Sequence, residues 1–381
     1  MRMRFERPEI PVAAEELRAE VRAFLAEALA ARTPARRAES WNGYDEEFSR
    51  ALGARGWIGM TLPKRYGGGE RTMLDRYVVI EELLAAGAPV AAHWIADRQS
   101  AALVLRHGTE EQRASILPRI ARGECYFCIG MSEPDAGSDL ASVRTRAMPV
   151  EDGFIVNGTK LWTSNAHRSH YMILLCRTAS PGEGGHHGGL SQFLVDLQTP
   201  GITIKPVMTL SGEHHFNEVV LQDVFLPRSA LLGKEGDGWA QVTSELALER
   251  SGPERFLSSF PLFAELVRAL EGRASPQAAV AVGRLAAHLV SLRRLSLSVA
   301  AMLSAGAEPA VEAALVKDLG ALHEQEVPEI ARLLLDAQPA RDCDGIGGAL
   351  ATTILSVPSF SLRGGTREIL RGIVARELGL R

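Results

Sequence analysis

Between Ala13 and Arg32 apolar residues recur at helical spacing, at Leu17, Val21, Phe24, Leu25, Ala28 and Leu29, with Glu and Arg on the other face. That periodicity predicts an amphipathic helix. A second helix is expected around Phe48 and Leu52, and the glycines and Pro63 of GWIGMTLPKRYGGGE then predict a long irregular crossing. Met73 to Ala86 and Pro89 to Arg106 read as helices, the latter stopped by His107-Gly108. Thr109 with Gln112 makes a capping-box pattern that opens another helix through Ile120. The period changes at Gly123. From Cys125 to Gly233 short alternating runs (SVRTRAM, FIVNG, YMILLCR, SQFLVDL, ITIKPV, EVVLQDVFLP) are separated by turn residues, among them Asp152-Gly153 and Asn157-Gly158, which predicts a compact antiparallel β domain. Beyond Gly238 helical periodicity returns around residues 239–271, 277–304, 309–337 and 366–379, as in a helical bundle. The expected class is α+β, mainly α, with a helical domain over 1–124, a β domain over 125–233 and a helical bundle over 234–381.

Composition adds bounds rather than chemistry. The 381 residues are 46% hydrophobic, enough for a large interior divided among domains, and alanine and leucine tilt the balance toward helix. A net charge of −4 gives no footprint for nucleic acid or an anionic membrane surface. No apolar run reads as long enough to span a bilayer, and MRMRFERPEI lacks the apolar core of a signal peptide, so a cytoplasmic protein without membrane insertion is expected. Cys125 and Cys128 form a C-x-x-C, but Cys176 and Cys343 show no matching spacing, and residues three apart on a strand face opposite ways. The pairs His186-His187 and His214-His215 invite a metal reading; adjacent histidines share one ion poorly, and no metal site is assigned.

The chemistry concentrates between Cys125 and Asn165. A short apolar run ends at Ser132-Glu133-Pro134, where proline leaves the ladder, and Asp135, Gly137, Ser138 and Asp139 follow. Such a loop offers backbone amides and hydroxyls to an acceptor-rich heterocycle or a phosphate. Later, Lys160-Leu161-Trp162-Thr163-Ser164-Asn165 sets an indole beside two hydroxyls, able to stack on a ring and bond its edge. On these residues alone, SEPDAGSD is equally an ordinary polar turn and Trp162 an ordinary core aromatic.

SEPDAGSDL, DGFIVNGTKLWTSN and GGTREILRGIVARELGL together resemble the acyl-CoA dehydrogenase family of flavoproteins, in order and separation, over nearly the whole chain. The resemblance implies a helical N-terminal domain, a middle β-barrel and a C-terminal four-helix bundle, with flavin adenine dinucleotide (FAD) as cofactor. It also implies removal of an α proton and a β hydride from an acyl-CoA thioester, in lipid β-oxidation, with electrons passed to an electron-transfer flavoprotein. Carried over residue by residue, the flavin contacts are Ile129, Met131, Ser132, Gly137, Ser138, Trp162, Thr163, Ser164, Gly365, Thr366 and Glu368. Met131 and Ser132 meet the pyrimidine side, Trp162 packs on the ring, and Ser164 reaches toward N5. Ser138, Arg250 and Gly364 fall on the substrate side, the Gly364 amide serving the thioester carbonyl.

Many members carry the catalytic base in a YEGT motif before the last helix; here Arg363-Gly364-Gly365-Thr366 stands there, so the glutamate is Gly364. A smaller set, like the isovaleryl-CoA and long-chain enzymes, carries it on the first bundle helix before an arginine, which implies Glu249, next to Arg250, with Glu245 one turn earlier as fallback. The family's RxxFG and QxxGGxG motifs for the adenosine half have no clean match in EGRASPQAAVAVGRL or DAQPARDCDGIGGAL, though Arg273 or Arg284 stands nearby. The resemblance therefore leaves open a homotetramer, a homodimer, or a mixed tetramer in which a second dehydrogenase-like chain supplies them. Arg363 is left among three roles: pairing with Glu249, lining the acyl pocket, or facing solvent.

Overall fold

A computed structural model of the protein describes residues 3–179 and 187–380, the side chains of 245–249 excepted. In chain order come α1 (Val12–Ala28), α2 (Pro34–Ala38), α3 (Glu46–Ala54), α4 (Met73–Ala85), α5 (Ala91–Ile95), a π-helical turn Ala96–Ser100, α6 (Ala101–His107) and α7 (Glu110–Ala121). The strands are β1 (Phe127–Gly130), β2 (Arg146–Val150), β3 (Gly153–Ser164), β4 (Tyr171–Arg177), β5 (Leu190–Asp196), β6 (Ile202–Met208), β7 (His214–Pro227) and β8 (Leu231–Leu232). After them run α8 (Gly238–Glu249), α9 (Phe260–Leu270), α10 (Pro276–Ser304), α11 (Ala310–Leu334), α12 (Ile346–Ser356) and α13 (Arg367–Glu377). Packing divides the chain into two compact units, Met1–Phe48 with Arg71–Ala91 and Leu246–Arg381, and Ser49–Glu70 with Ala92–Glu245.

The second unit holds the sheet, in the order β6-β7-β3-β2-β4-β5-β8, with β1 pairing β4. Pairing is antiparallel except at β4, which β1 joins in parallel and β2 meets at one parallel register point. One face buries Phe154, Phe193, Val156, Leu174 and Val219, with Phe154 and Phe193 edge to face at 5.1 Å. Cys128 and Cys176 belong to this core, and burial pushes both thiols up to about 12, so they pack as small hydrophobes. Thr109 and Gln112 form the reciprocal cap, with Thr109 N donating to Gln112 Oε1 at 2.8 Å.

In the first unit, Leu262, Leu266, Leu285, Val327 and Leu350 bring α9, α10, α11 and α12 onto one core. Arg22 and Arg293 donate to Glu82 and Glu81 at 2.7 and 2.6 Å, and Arg18 pairs with both carboxylates, tying α1 and α10 to α4. By length and composition alone, α10 is apolar enough to cross a membrane, which corrects the expectation that no such run exists. Its Arg293 is nevertheless engaged in the network with Glu81, and its Leu285 in the core.

Two elements depart from the periodicity. The expected helical stretch 239–271 breaks at Ser251-Gly252-Pro253, where proline stops α8 and a short 3₁₀ turn, Pro253–Arg255, leads toward α9. The Gly345-Ile346-Gly347-Gly348 stretch opens α12, and a Cβ at Gly348 would lie 1.6 Å from the Cys343 carbonyl oxygen. Only glycine permits that approach.

His323 on α11 is 2% exposed and meets the His288 ring at 5.2 Å. Burial, with His288 beside it, lowers His323 to about 4. A histidine held neutral when folded takes its proton first in the unfolded chain, so this stabilisation is whole above the unfolded value near 6.5 and declines as pH falls toward 4. At pH 5 the loss from this group is about 2 kcal/mol. Urea unfolding at pH 7 and pH 5 is expected to show it, and His323→Phe should flatten the difference.

Candidate functional site

In the sheet unit, Ile129 lies in β1 and Met131 and Ser132 follow it, and the Leu161 amide of β3 donates to the Ser132 carbonyl at 2.9 Å. Lys160, fully buried, donates to the Met131 carbonyl at 3.0 Å and to Glu133 at 2.8 Å. The Glu133 carboxylate also accepts the Arg144 and Thr145 amides at 2.7 and 2.9 Å. Burial alone would raise Glu133, but Lys160 and these amides outweigh it and hold the carboxyl below its usual range. Burial pulls Lys160 down, against Glu133. With three donors on one carboxylate, the pair locks the two motifs together. Nothing in the spacing of Glu133 and Lys160 announces this contact.

The β3–β7 register shifts between Lys160 and Thr163, and Trp162 lies in that irregularity at φ +64. The residue is 57% exposed, with Phe216 edge-on at 5.8 Å. A left-handed tryptophan costs about 1 kcal/mol or more and marks a place where position outranks stability. Trp162→Gly, which removes that strain, is therefore expected to be at least as stable as Trp162→Ala in urea, and both to bind less flavin.

Thr163 turns inward, with its hydroxyl buried and without a hydrogen bond among the described residues, while Ser164 is half-buried. The Thr163 carbonyl accepts from buried Asn217 at 2.9 Å, and Asn217 Oδ1 in turn receives His167 Nδ1 at 3.1 Å and His214 Nε2 at 2.7 Å. The two imidazoles stack at 3.7 Å. Burial, then His214 and Arg168, brings His167 to about 4, so it serves as a neutral donor. His214 is thus a brace under the sheet. No cluster with metal-ligand geometry occurs among the described residues; His187 stacks on Trp239 at 4.1 Å, and His186 lies outside them. Gly137 and Ser138 sit further along the loop, Ser138 exposed and Gly137 with open space at its Cβ position. An exposed indole, hydroxyls and a pinned loop backbone make a donor set that suits a flat ring edged with oxygen and nitrogen.

The helical unit brings together Arg250, Gly364, Gly365, Thr366 and Glu368. Gly364 and Gly365 take φ +70 and +102, and Arg250 Nε donates to the Gly364 carbonyl at 2.9 Å. A Cβ at Gly364 would lie 2.8 Å from Arg255 Nη2, in a guanidinium that is 1% exposed. Thr366 caps α13 toward Ile369 N at 3.5 Å, and the backbone amide of Glu368 and the Thr366 hydroxyl hold the Glu368 carboxyl low. The positive end of α13 suits a phosphate. Arg363 pairs with buried Glu324 at 2.9 Å and Ser258 at 2.6 Å, and lies over Trp41 and Phe360 at 4.4 and 4.1 Å. Of the three roles left open, its placement speaks against facing solvent, since the side chain is 11% exposed. Glu249 ends α8, but its side chain, like that of Glu245, lies outside the described residues. Arg273 caps the end of α9, donating to Ala269 O at 2.5 Å.

Comparison with known proteins matches residues 12–124 to the acyl-CoA dehydrogenase N-terminal domain and 128–224 to its middle domain. Acyl-CoA dehydrogenase FadE34 of Mycobacterium tuberculosis is 31% identical over 88% of this chain and 46% of its own length. FadE29 of the same organism is 38% identical over 53% of this chain and 51% of its own, so the chain spans about half the length of these curated relatives. A solved structure described as the Tcur3481-Tcur3483 steroid ACAD superposes with a TM-score of 0.87 at 29% identity, covering 100% of this chain and 99% of that one. The ChsE4-ChsE5 complex from Mycobacterium tuberculosis gives 0.84 at 30%, covering 99% and 100%.

Proposed function

The chain belongs to the acyl-CoA dehydrogenase family, and from that premise we propose that it binds FAD and oxidises the Cα–Cβ bond of an acyl-CoA thioester to the trans-2-enoyl thioester. The observation that carries this reading is the pinned Met131–Ser132 loop beside the exposed Trp162 indole. Bound FAD would accept the β hydrogen as hydride at N5. The Glu249 carboxylate takes the α proton, and the Cα–H electron pair becomes the new double bond as hydride leaves Cβ. The Gly364 amide donates to the thioester carbonyl and stabilises the charge that develops there. Met131, Ser132 and Ser164 would hold the edge of a bound flavin ring and Trp162 would cover its face, while Gly365 and Thr366 would receive a phosphate of the cofactor.

The acyl group is proposed to be bulky and polycyclic, of the steroid kind named for the Tcur3481-Tcur3483 relative. A mixed complex with a second dehydrogenase-like chain is proposed over a homo-oligomer. Both full-length structural relatives above carry two-chain names, and the adenosine-binding motifs have no clean counterpart in this sequence. Electrons would pass to an electron-transfer flavoprotein. The test is the visible spectrum of the chain purified alone and after co-expression with a neighbouring dehydrogenase-like chain, before and after anaerobic addition of steroid, branched and straight-chain acyl-CoA thioesters. Flavin bands that bleach with a thioester support the reading. A protein colourless in both preparations, or flavin that no thioester reduces, sinks it.

A further inference from the structure

The Gly364-Gly365 turn is made of the residue type that holds its own shape least, at φ +70 and +102. An amide that is to stabilise charge on a carbonyl oxygen must nevertheless be in place before the reaction begins. Stiffness therefore has to come from outside the turn, and the helical unit supplies it on both flanks of the Gly364 amide. On one flank, the Arg363 amide donates to Ser359 O at 3.1 Å, and its guanidinium donates to Glu254 O at 3.2 Å as well as to Glu324 and Ser258. On the other, Arg250 Nε donates to the Gly364 carbonyl, and a Cβ at Gly365 would lie 3.2 Å from Arg250 Nη2. The guanidinium thus lies along both glycines. Arg250 is buried, and a hydrogen bond away from water is held the more firmly.

Arg250 directly follows Glu249, the last residue of α8. A residue that fastens the Gly364 turn is thereby joined by a single peptide bond to the proposed base. A base acting on Cα and a donor acting on the neighbouring carbonyl must keep a fixed separation, because the two substrate atoms are bonded to each other. We propose that Arg250 is the positioning residue that keeps it, by tying the carbonyl-binding turn to the end of the helix that carries the base. This rests on the acyl-CoA reading above, and it replaces the direct substrate contact that the resemblance implies for Arg250. The role asks for the planar fork of arginine; lysine keeps the charge but has only a point donor on a flexible stem.

The test uses FAD-loaded protein, in whichever assembly carries flavin, and a thioester that bleaches wild type. In Arg250→Lys and Arg250→Gln the limiting rate of anaerobic flavin reduction is expected to fall roughly 10–100-fold, with half-saturation within about threefold of wild type. The second readout is the infrared carbonyl stretch of the matching trans-2-enoyl thioester, labelled with carbon-13 at the carbonyl and bound without turnover. Wild type should lower its frequency relative to solution, and both Arg250 variants should give most of that shift back. Glu249→Gln should also slow reduction yet leave the stretch where wild type puts it, because it removes the base and not the anchor. The two Arg250 variants differ in charge, so a loss of folding that follows the charge spares Arg250→Lys. A raised half-saturation at an unchanged limiting rate would place Arg250 on CoA and overturn the inference, as would a stretch that neither variant moves. In both cases the dehydrogenase reading stands. If no thioester bleaches wild type, that reading falls and this inference with it.

Discussion

Lys160→Met is expected to lower folding stability by about 3–5 kcal/mol, because it leaves the Glu133 carboxylate buried without its cation. Lys160 is also the donor that fixes the Met131 carbonyl, so the loop and the irregular stretch of β3 lose their common anchor. Purified variant should carry little flavin even at temperatures where it is folded. Glu133→Leu combined with Lys160→Met separates the two effects. An apolar pair of similar volume can recover much of the stability, as replacing whole buried ion pairs often does, but it cannot restore the bond to Met131. Urea midpoints and flavin absorbance of the single and double variants decide the matter. A single variant within about 1 kcal/mol of wild type would show that the pair is not the anchor.

Glu249→Gln should slow anaerobic flavin reduction by a factor of roughly 10²–10⁴, the usual worth of a positioned base, while thioester affinity changes little. Unaltered reduction would remove Glu249 from the mechanism. Moving the carboxylate to the other family position is expected not to rescue it. In Glu249→Gln/Gly364→Glu the new side chain must take φ +70 and enter space held by the Arg255 guanidinium. Two arginines beside it, Arg250 and Arg255, would keep that carboxylate ionised and a poor base.

The elements that periodicity marks most strongly are the ones found: YMILLCR is β4 residue for residue, and the Thr109 cap sits where its pattern places it. Helix α12 was not legible, because Gly347, Gly348 and the Thr352-Thr353 pair are poor helix formers in isolation. Those glycines are chosen for contact with the Cys343 carbonyl, a tertiary reason that no local window contains. The functional loop was visible as SEPDAGSD, but its anchor was not, since Glu133 and Lys160 lie 27 residues apart and meet only once β3 has folded beside the loop. The left-handed Trp162 was likewise unreadable: nothing in KLWTSN distinguishes a strained tryptophan from a relaxed one. Arg363 reads as an unknown in sequence because its partner Glu324 lies on a different helix.

The division of the chain into interleaved segments sets an order of events at the ribosome. The sheet unit is complete once residue 245 has emerged, whereas α1, α2 and α4 belong to a unit that only the residues from Leu246 onward complete. Val78, Val79, Leu83 and Leu84 of α4, all buried in the finished protein, must therefore wait through roughly 150 residues of synthesis, about 10–30 s at ordinary elongation rates. During that interval α4 has α1 against it but still lacks α10, and the apolar surface left open is a substrate for a holding chaperone. Production of this protein should accordingly depend on translation speed and chaperone supply more than its final stability would suggest.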